Sequence, residues 1–163
     1  MEQGFQQARS EHEARTATEA RRQEERREAV RHLHALENDL APEINRFLSS
    51  MKEKGIRADH NGGGSSPGFL GFGKKEPLVF WLLAQPYRDT YNDGTSGPHS
   101  GVGLEEGGRL RWVEGLYDGL KSRGDLIGGY YLVDEPSDPW FPTAELLATR
   151  LGRILAQHAG FRP

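Results

Sequence analysis

The segment Gly68-Phe69-Leu70-Gly71-Phe72-Gly73-Lys74-Lys75 comes closest to a catalytic signature, because it satisfies G-x-x-x-x-G-K, the loop whose backbone N–H groups cradle phosphates. The next position should be Ser or Thr, whose hydroxyl holds the magnesium ion, and here it is Lys75. A phosphate loop should also open a helix, whereas Glu76-Pro77 leads into an apolar run. Glycines shaping a bend, with lysines in solvent, is the expected role.

A second cluster is Tyr91-Asn92-Asp93-Gly94-Thr95-Ser96-Gly97-Pro98-His99-Ser100-Gly101. Asp93, Ser96 and His99 supply an acid, a hydroxyl and a base, and a compact loop could bring them together as a binding site. Asn92-Asp93-Gly94 is first of all turn chemistry, with Gly free to adopt positive φ. Pro98 stands where the second glycine of a G-x-S-x-G elbow belongs, so a serine hydrolase has no support. A metal would have to recruit His60, His99, Asp59, Asp93, Asp134 or Glu135 from separate loops, and no H-x-x-x-H or H-E-x-x-H pair exists. No metal site and no cofactor is expected.

The arginines at 15, 21, 22, 26, 27 and 31 could face a phosphate backbone. Glu11, Glu13, Glu19, Glu24, Glu25 and Glu28 match them and cancel the field that counterion release requires. Mixed-sign helices are solvated faces or flanks of helical interaction surfaces. Trp140-Phe141, held between Pro139 and Pro142, reads either as a hydrophobic staple for the helix that follows or as an exposed anchor for a partner.

Composition bounds these readings. The chain has 163 residues, a formal charge of −3, 35% hydrophobic residues and no Cys, which suits one domain with its own core. Without Cys there is no disulfide framework, thiol nucleophile or thiolate-held metal. The opening residues lack the basic patch and apolar run of a secretory signal, and the longest apolar run, Leu78 to Ala84, is far short of a membrane span. A cytoplasmic protein without membrane contact is expected.

The elements that must position these residues divide near Gly55. Only Gly4 precedes it, and eighteen of the twenty-one glycines lie between Gly55 and Gly129. Each Gly weakens a helix by about 1 kcal/mol relative to Ala, so the order read is helix, then strands and turns, then helix. Residues 8–29 are helix-forming and charged, with no large apolar side chain for docking. From there Val30, Leu33, Leu40, Ile44, Phe47 and Met51 form an apolar stripe interrupted at Glu37. Its partner is either the protein's own sheet or another copy of the helix. An interior Pro42 predicts a break at Asn38–Pro42, with Asn38 or Asp39 capping a new helix that runs to Lys54 and stops at Gly55.

Leu78–Ala84 reads as a buried strand, Arg109–Trp112 as one arm of a hairpin with Ser100–Leu104, and Tyr130–Val133 as a further strand. Residues 55–73 could add another. Pro142-Thr143 opens a last helix with Leu147, Leu151, Ile154 and Leu155 on one face and Gly160 as its stop. Connections too short for crossovers predict an α+β fold, an antiparallel sheet of about four to five strands packed by an N-terminal and a C-terminal helix. Residues 1–38 read as a charged helical arm, as a coiled coil or frayed, and 39–163 as the domain.

No motif names a reaction. Some 35 helical residues would reach about 50 Å, more than a domain of this size needs for its core. The leading expectation is therefore an interaction or adaptor protein that binds a protein partner or forms a homo-oligomer through the N-terminal helix, with Val30, Leu33, Leu40, Ile44 and Phe47 as its interaction stripe. Two alternatives follow from the clusters above. One is a small-molecule or phosphate-binding enzyme with its site in the loops 59–64, 92–101 and 134–138. The other is nucleic-acid binding through the arginine-rich helix, which the charge cancellation disfavours.

Overall fold

The computed structural model describes residues 2–62, 78–84, 97–118 and 125–159. The Gly68–Lys75 motif, Asp93, Ser96 and Gly160 lie outside them. Three helices, α1 (Glu2–Asp39), α2 (Ala41–Glu53) and α3 (Ala144–His158), accompany five strands: β1 (His60–Gly62), β2 (Leu78–Ala84), β3 (Gly97–Glu105), β4 (Leu110–Asp118) and β5 (Asp125–Val133). All strand pairs are antiparallel and neighbours in sequence are neighbours in the sheet, order β1-β2-β3-β4-β5. The chain is α+β, as composition and turn chemistry predict.

The break between α1 and α2 is confined to one residue. Leu40 leaves the helix, with φ −93° and ψ 6°, and Pro42 falls in the first turn of α2, where its missing N–H costs nothing. Neither Asn38 nor Asp39 caps it: Leu40 is the N-cap and makes no side-chain cap bond. Leu40 itself joins the two helices, its N–H bonded to Leu36 O and its carbonyl accepting from Ile44 N, each at 2.9 Å. Gly55, at φ 66°, ends α2 by bonding Lys52 O.

Because the break is so small, one apolar series passes through it: Ala29, Leu33, Leu36, Leu40, Ile44, Phe47 and Met51, all buried. Leu36 fills the place where the sequence reading had a gap at Glu37, and Glu37 instead turns its carboxylate to the strand and accepts from Leu110 N at 2.8 Å. The stripe meets the protein's own sheet, packing with Trp81, Leu83, Val102, Leu104 and Trp112. Phe47 meets Trp81 edge-on, ring centroids 5.0 Å apart. The core thus reaches back to Ala29, so residues 29–38, grouped with the arm by composition, belong to the packed domain.

The hairpin of β3 and β4 pairs Leu104 with Leu110, and Gly108 takes the φ of 90° that its turn requires. Phe80 and Val113 are buried on the face away from the helices. A Cβ at Gly103 would sit 2.7 Å from the Phe80 ring and 2.8 Å from Val113, so glycine lets these two side chains close over the strand. The outermost strands approach each other, with the His60 ring stacked on Phe80 at 5.5 Å and edge-on to Tyr130 at 5.4 Å. Thr143 caps α3, its side chain accepting from Leu146 N, and Leu147 and Leu151 enter the core.

Candidate functional site

Residues 4–24 of α1 are exposed on every side. Nothing apolar directs them inward, and their helix is supported by local bonds alone: Arg9 Nε to Glu13 Oε1 at 3.0 Å, Arg21 Nε to Glu25 Oε1 at 3.1 Å, and Arg31 Nη2 to Glu24 Oε1 at 2.9 Å. The hydrogen-bonded Arg31 guanidinium holds the Glu24 carboxyl below the usual carboxylate range. Solvated pairs of this kind support a helix only weakly, so a long helix is sustained locally but not anchored.

Its anchor starts at Ala29, the first fully buried position and the first member of the core. His32 Nε2 donates to the carbonyl of Pro142 at 2.7 Å, and the Phe141 ring lies edge-on to His32 at 5.4 Å. The segment 134–142 is therefore the seat of α1. A groove of about 550 Å³ runs up from this seat along Ala14, Thr18, Arg22 and Arg26, with Glu135 opposite. A second, of about 290 Å³, separates Arg22, Glu25 and Arg26 from Ser137–Pro139. Arg26 Nε is enclosed there without a hydrogen-bond partner among the described residues.

The seat is tied to the sheet by a buried carboxylate. Glu114 is only 3% exposed, and it accepts from Ser137 N at 2.6 Å, from Tyr131 OH at 3.1 Å and from Ser100 Oγ at 3.3 Å. Ser100 Oγ in turn accepts from Asp138 N at 3.1 Å, while Trp140 Nε1 donates to Ser100 O at 2.9 Å. Three donors offset the desolvation of one carboxylate, the arrangement a buried charge requires. Burial, followed by the neighbouring Glu114 charge, raises the Tyr131 hydroxyl above the ordinary tyrosine value. His99 Nδ1 lies 4.0 Å from Asp138 Oδ2 beside this network.

These positions answer the sequence-derived candidates one by one. Val30 is partly buried, and Leu33, Leu40, Ile44 and Phe47 are in the protein's own core. Trp140 packs against that core with its indole edge-on to Trp112 at 6.3 Å, whereas Phe141 is 48% exposed, so the dipeptide divides between the two roles considered for it. Of the three expected loops, the described part of 92–101 is not loop but the start of β3, and its Ser100 meets 134–138 at Glu114. The described part of 59–64 does not join them: Tyr130 touches His60 and Tyr131 bonds Glu114, and adjacent strand residues point to opposite faces.

Glu114, Tyr131, Ser137 and Arg26 are participants that motif searching missed. The alternation Leu110, Trp112, Glu114 along β4 was their one visible signal, because it puts a carboxylate on the face of two core residues. Chemically the network is closed, since a carboxylate 97% enclosed with three donors offers no room to a substrate. Among the described residues no group of His, Asp and Glu is arranged to hold a metal ion, and no helix is long and apolar enough to cross a membrane. Compared with protein-family models, with curated proteins and with solved structures, the chain matches none.

Proposed function

We propose that the protein acts by association, presenting residues 4–24 of α1 to a protein partner from a rigid seat. The observation that supports this is the division of one continuous helix. From Ala29 onward it is built into the core, and over residues 4–24 it is exposed all round. A 38-residue helix spans roughly 57 Å, and an unsupported segment of this length loses conformational entropy without gaining burial unless something else covers it. The Glu114 network and the His32–Pro142 bond fix the angle at which it leaves the domain. In this reading the polar cluster is an orienting device rather than a catalytic one.

The test compares the full chain with one that begins at Gln23, a cut that spares every core residue from Ala29 on. Both should melt alike in circular dichroism. Only the full chain should sediment as an assembly or retain a defined protein when immobilised in an extract of its own cells. Identical behaviour of the two would refute the proposal. The enzyme alternative instead requires a ligand whose binding is lost in His99→Ala with the fold intact, and the nucleic-acid alternative requires affinity that falls steeply with salt.

A further inference from the structure

Charge along α1 is uneven. Residues 4–14 carry Glu11 and Glu13 against Arg9, a negative balance, while residues 15–31 carry six arginines against four glutamates, a positive one. Arg9, Glu13, Arg21, Glu24, Glu25 and Arg31 are satisfied within the helix. Arg15, Glu19 and Arg22, which line the groove beside Ala14 and Thr18, make no ion pair among the described residues. Arg15 and Glu19 stand four apart and could have paired with each other, yet they do not. These three lie on the side of α1 that continues its docked face beyond the domain, whereas Arg27 and Glu28, also without an ion pair among the described residues, lie outside the groove.

We infer that the occupant of this groove is a second copy of the chain, its α1 running antiparallel to the first. This rests on the reading of α1 as an association surface and names its partner. Antiparallel pairing sets the acidic stretch of each helix against the basic stretch of the other and opposes the two helix dipoles favourably. With the twofold axis near residues 16–17, Glu11 faces Arg22 of the second copy and Arg15 faces its Glu19, each contact occurring twice. A parallel pair would set like against like. Small side chains at Ala14 and Thr18 permit close approach on either side of the axis. The same register brings Phe5, 82% exposed, to the level of Glu28 and Ala29 of the second copy, beside the seat that carries the exposed Phe141. The two exposed large hydrophobic side chains among the described residues then lie at the same end of each contact.

The chain has no Cys, so single spin labels can be placed on the full protein at Ala17→Cys or Gln7→Cys. In the antiparallel dimer two labels at position 17, beside the axis but on the backs of the helices, should be about 20 Å apart and two at position 7 about 30 Å apart. Arg22→Glu and Glu11→Arg should each raise the dimer dissociation constant about tenfold, and combining them should bring it back near the original value. Both substitutions are on an exposed helix face and leave the core intact. Short distances at both positions would mean parallel pairing and overturn the inference. So would a dimer indifferent to both charge reversals. A chain that stays monomeric at every concentration would overturn it too, and if that chain still retains a different protein through residues 4–24, the association reading stands while the second copy does not.

Discussion

Glu114 is the residue on which burial and charge are most opposed. A carboxylate removed from water loses several kcal/mol of hydration, and only the Ser137, Tyr131 and Ser100 donors make its position tenable. Glu114→Ala leaves those three donors without their acceptor and should lower unfolding stability by about 3 kcal/mol in urea titration, whereas Arg9→Ala on the exposed helix should change it by less than about 0.5 kcal/mol. Ionisation supplies a second check. Arg57, bonded to Glu106 at 2.8 and 3.2 Å, and the Ala58 N–H hold the Glu106 carboxyl below its ordinary value. Its folded value is thus lower than its unfolded one, so the stability it contributes is present above the ordinary glutamate range and lost as pH falls below it. The stability difference between the native chain and Arg57→Ala should therefore be present at neutral pH, small because the pair is partly in solvent, and should disappear on acidification. Tyr131 works in the other direction. Its value is raised on folding, so the native state loses stability as pH climbs past the ordinary tyrosine range, and Tyr131→Phe should remove that alkaline loss.

Among the elements, legibility followed periodicity and failed where size was used as a proxy for burial. Turn and apolar-run signals place β2 and α3, bounded by Pro and a capping Thr, but find only parts of β4 and β5: β4 runs on to Asp118 and β5 starts at Asp125, with Gly115 and Gly128-Gly129 inside the strands. The large apolar side chains of α1 and α2 begin at Val30, because Ala29 is small, and in that phase Glu37 looks like an interruption. Starting from Ala29, the intervals run 4-3-4-4-3-4 with Leu36 in place and no gap. Ala29 is fully buried yet small, and a search for large side chains passes over it. Leu36→Ala should therefore cost about 2–4 kcal/mol, as for any buried leucine. Gly103→Ala should also destabilise, by about 1–3 kcal/mol, since the added carbon meets the Phe80 ring and Val113 on a face already closed. The candidate site was hardest to read because its parts come from different elements: Glu114 from β4, Tyr131 from β5, Ser100 from β3 and Ser137 from the seat. No spacing in sequence encodes that convergence, and only the strand alternation marked one member of it.

At the scale of the molecule, a curved sheet covered by α2, α3 and the second part of α1 forms a base, and the first part of α1 stands away from it. The base explains every large buried side chain, and none of that explanation extends to residues 4–24. Their content of charge without an apolar stripe makes them poor at holding themselves to the domain and suited to electrostatic pairing, which salt should weaken. Hydrogen exchange followed residue by residue along α1 tests this division most directly, comparing the dilute chain with its associated state. The amides from Ala29 to Asp39 should be protected in both, while those from 4 to 24 should exchange rapidly when dilute and slow markedly on association. Strong protection of residues 4–24 in the dilute monomer, or exchange there that association leaves unchanged, would contradict the account.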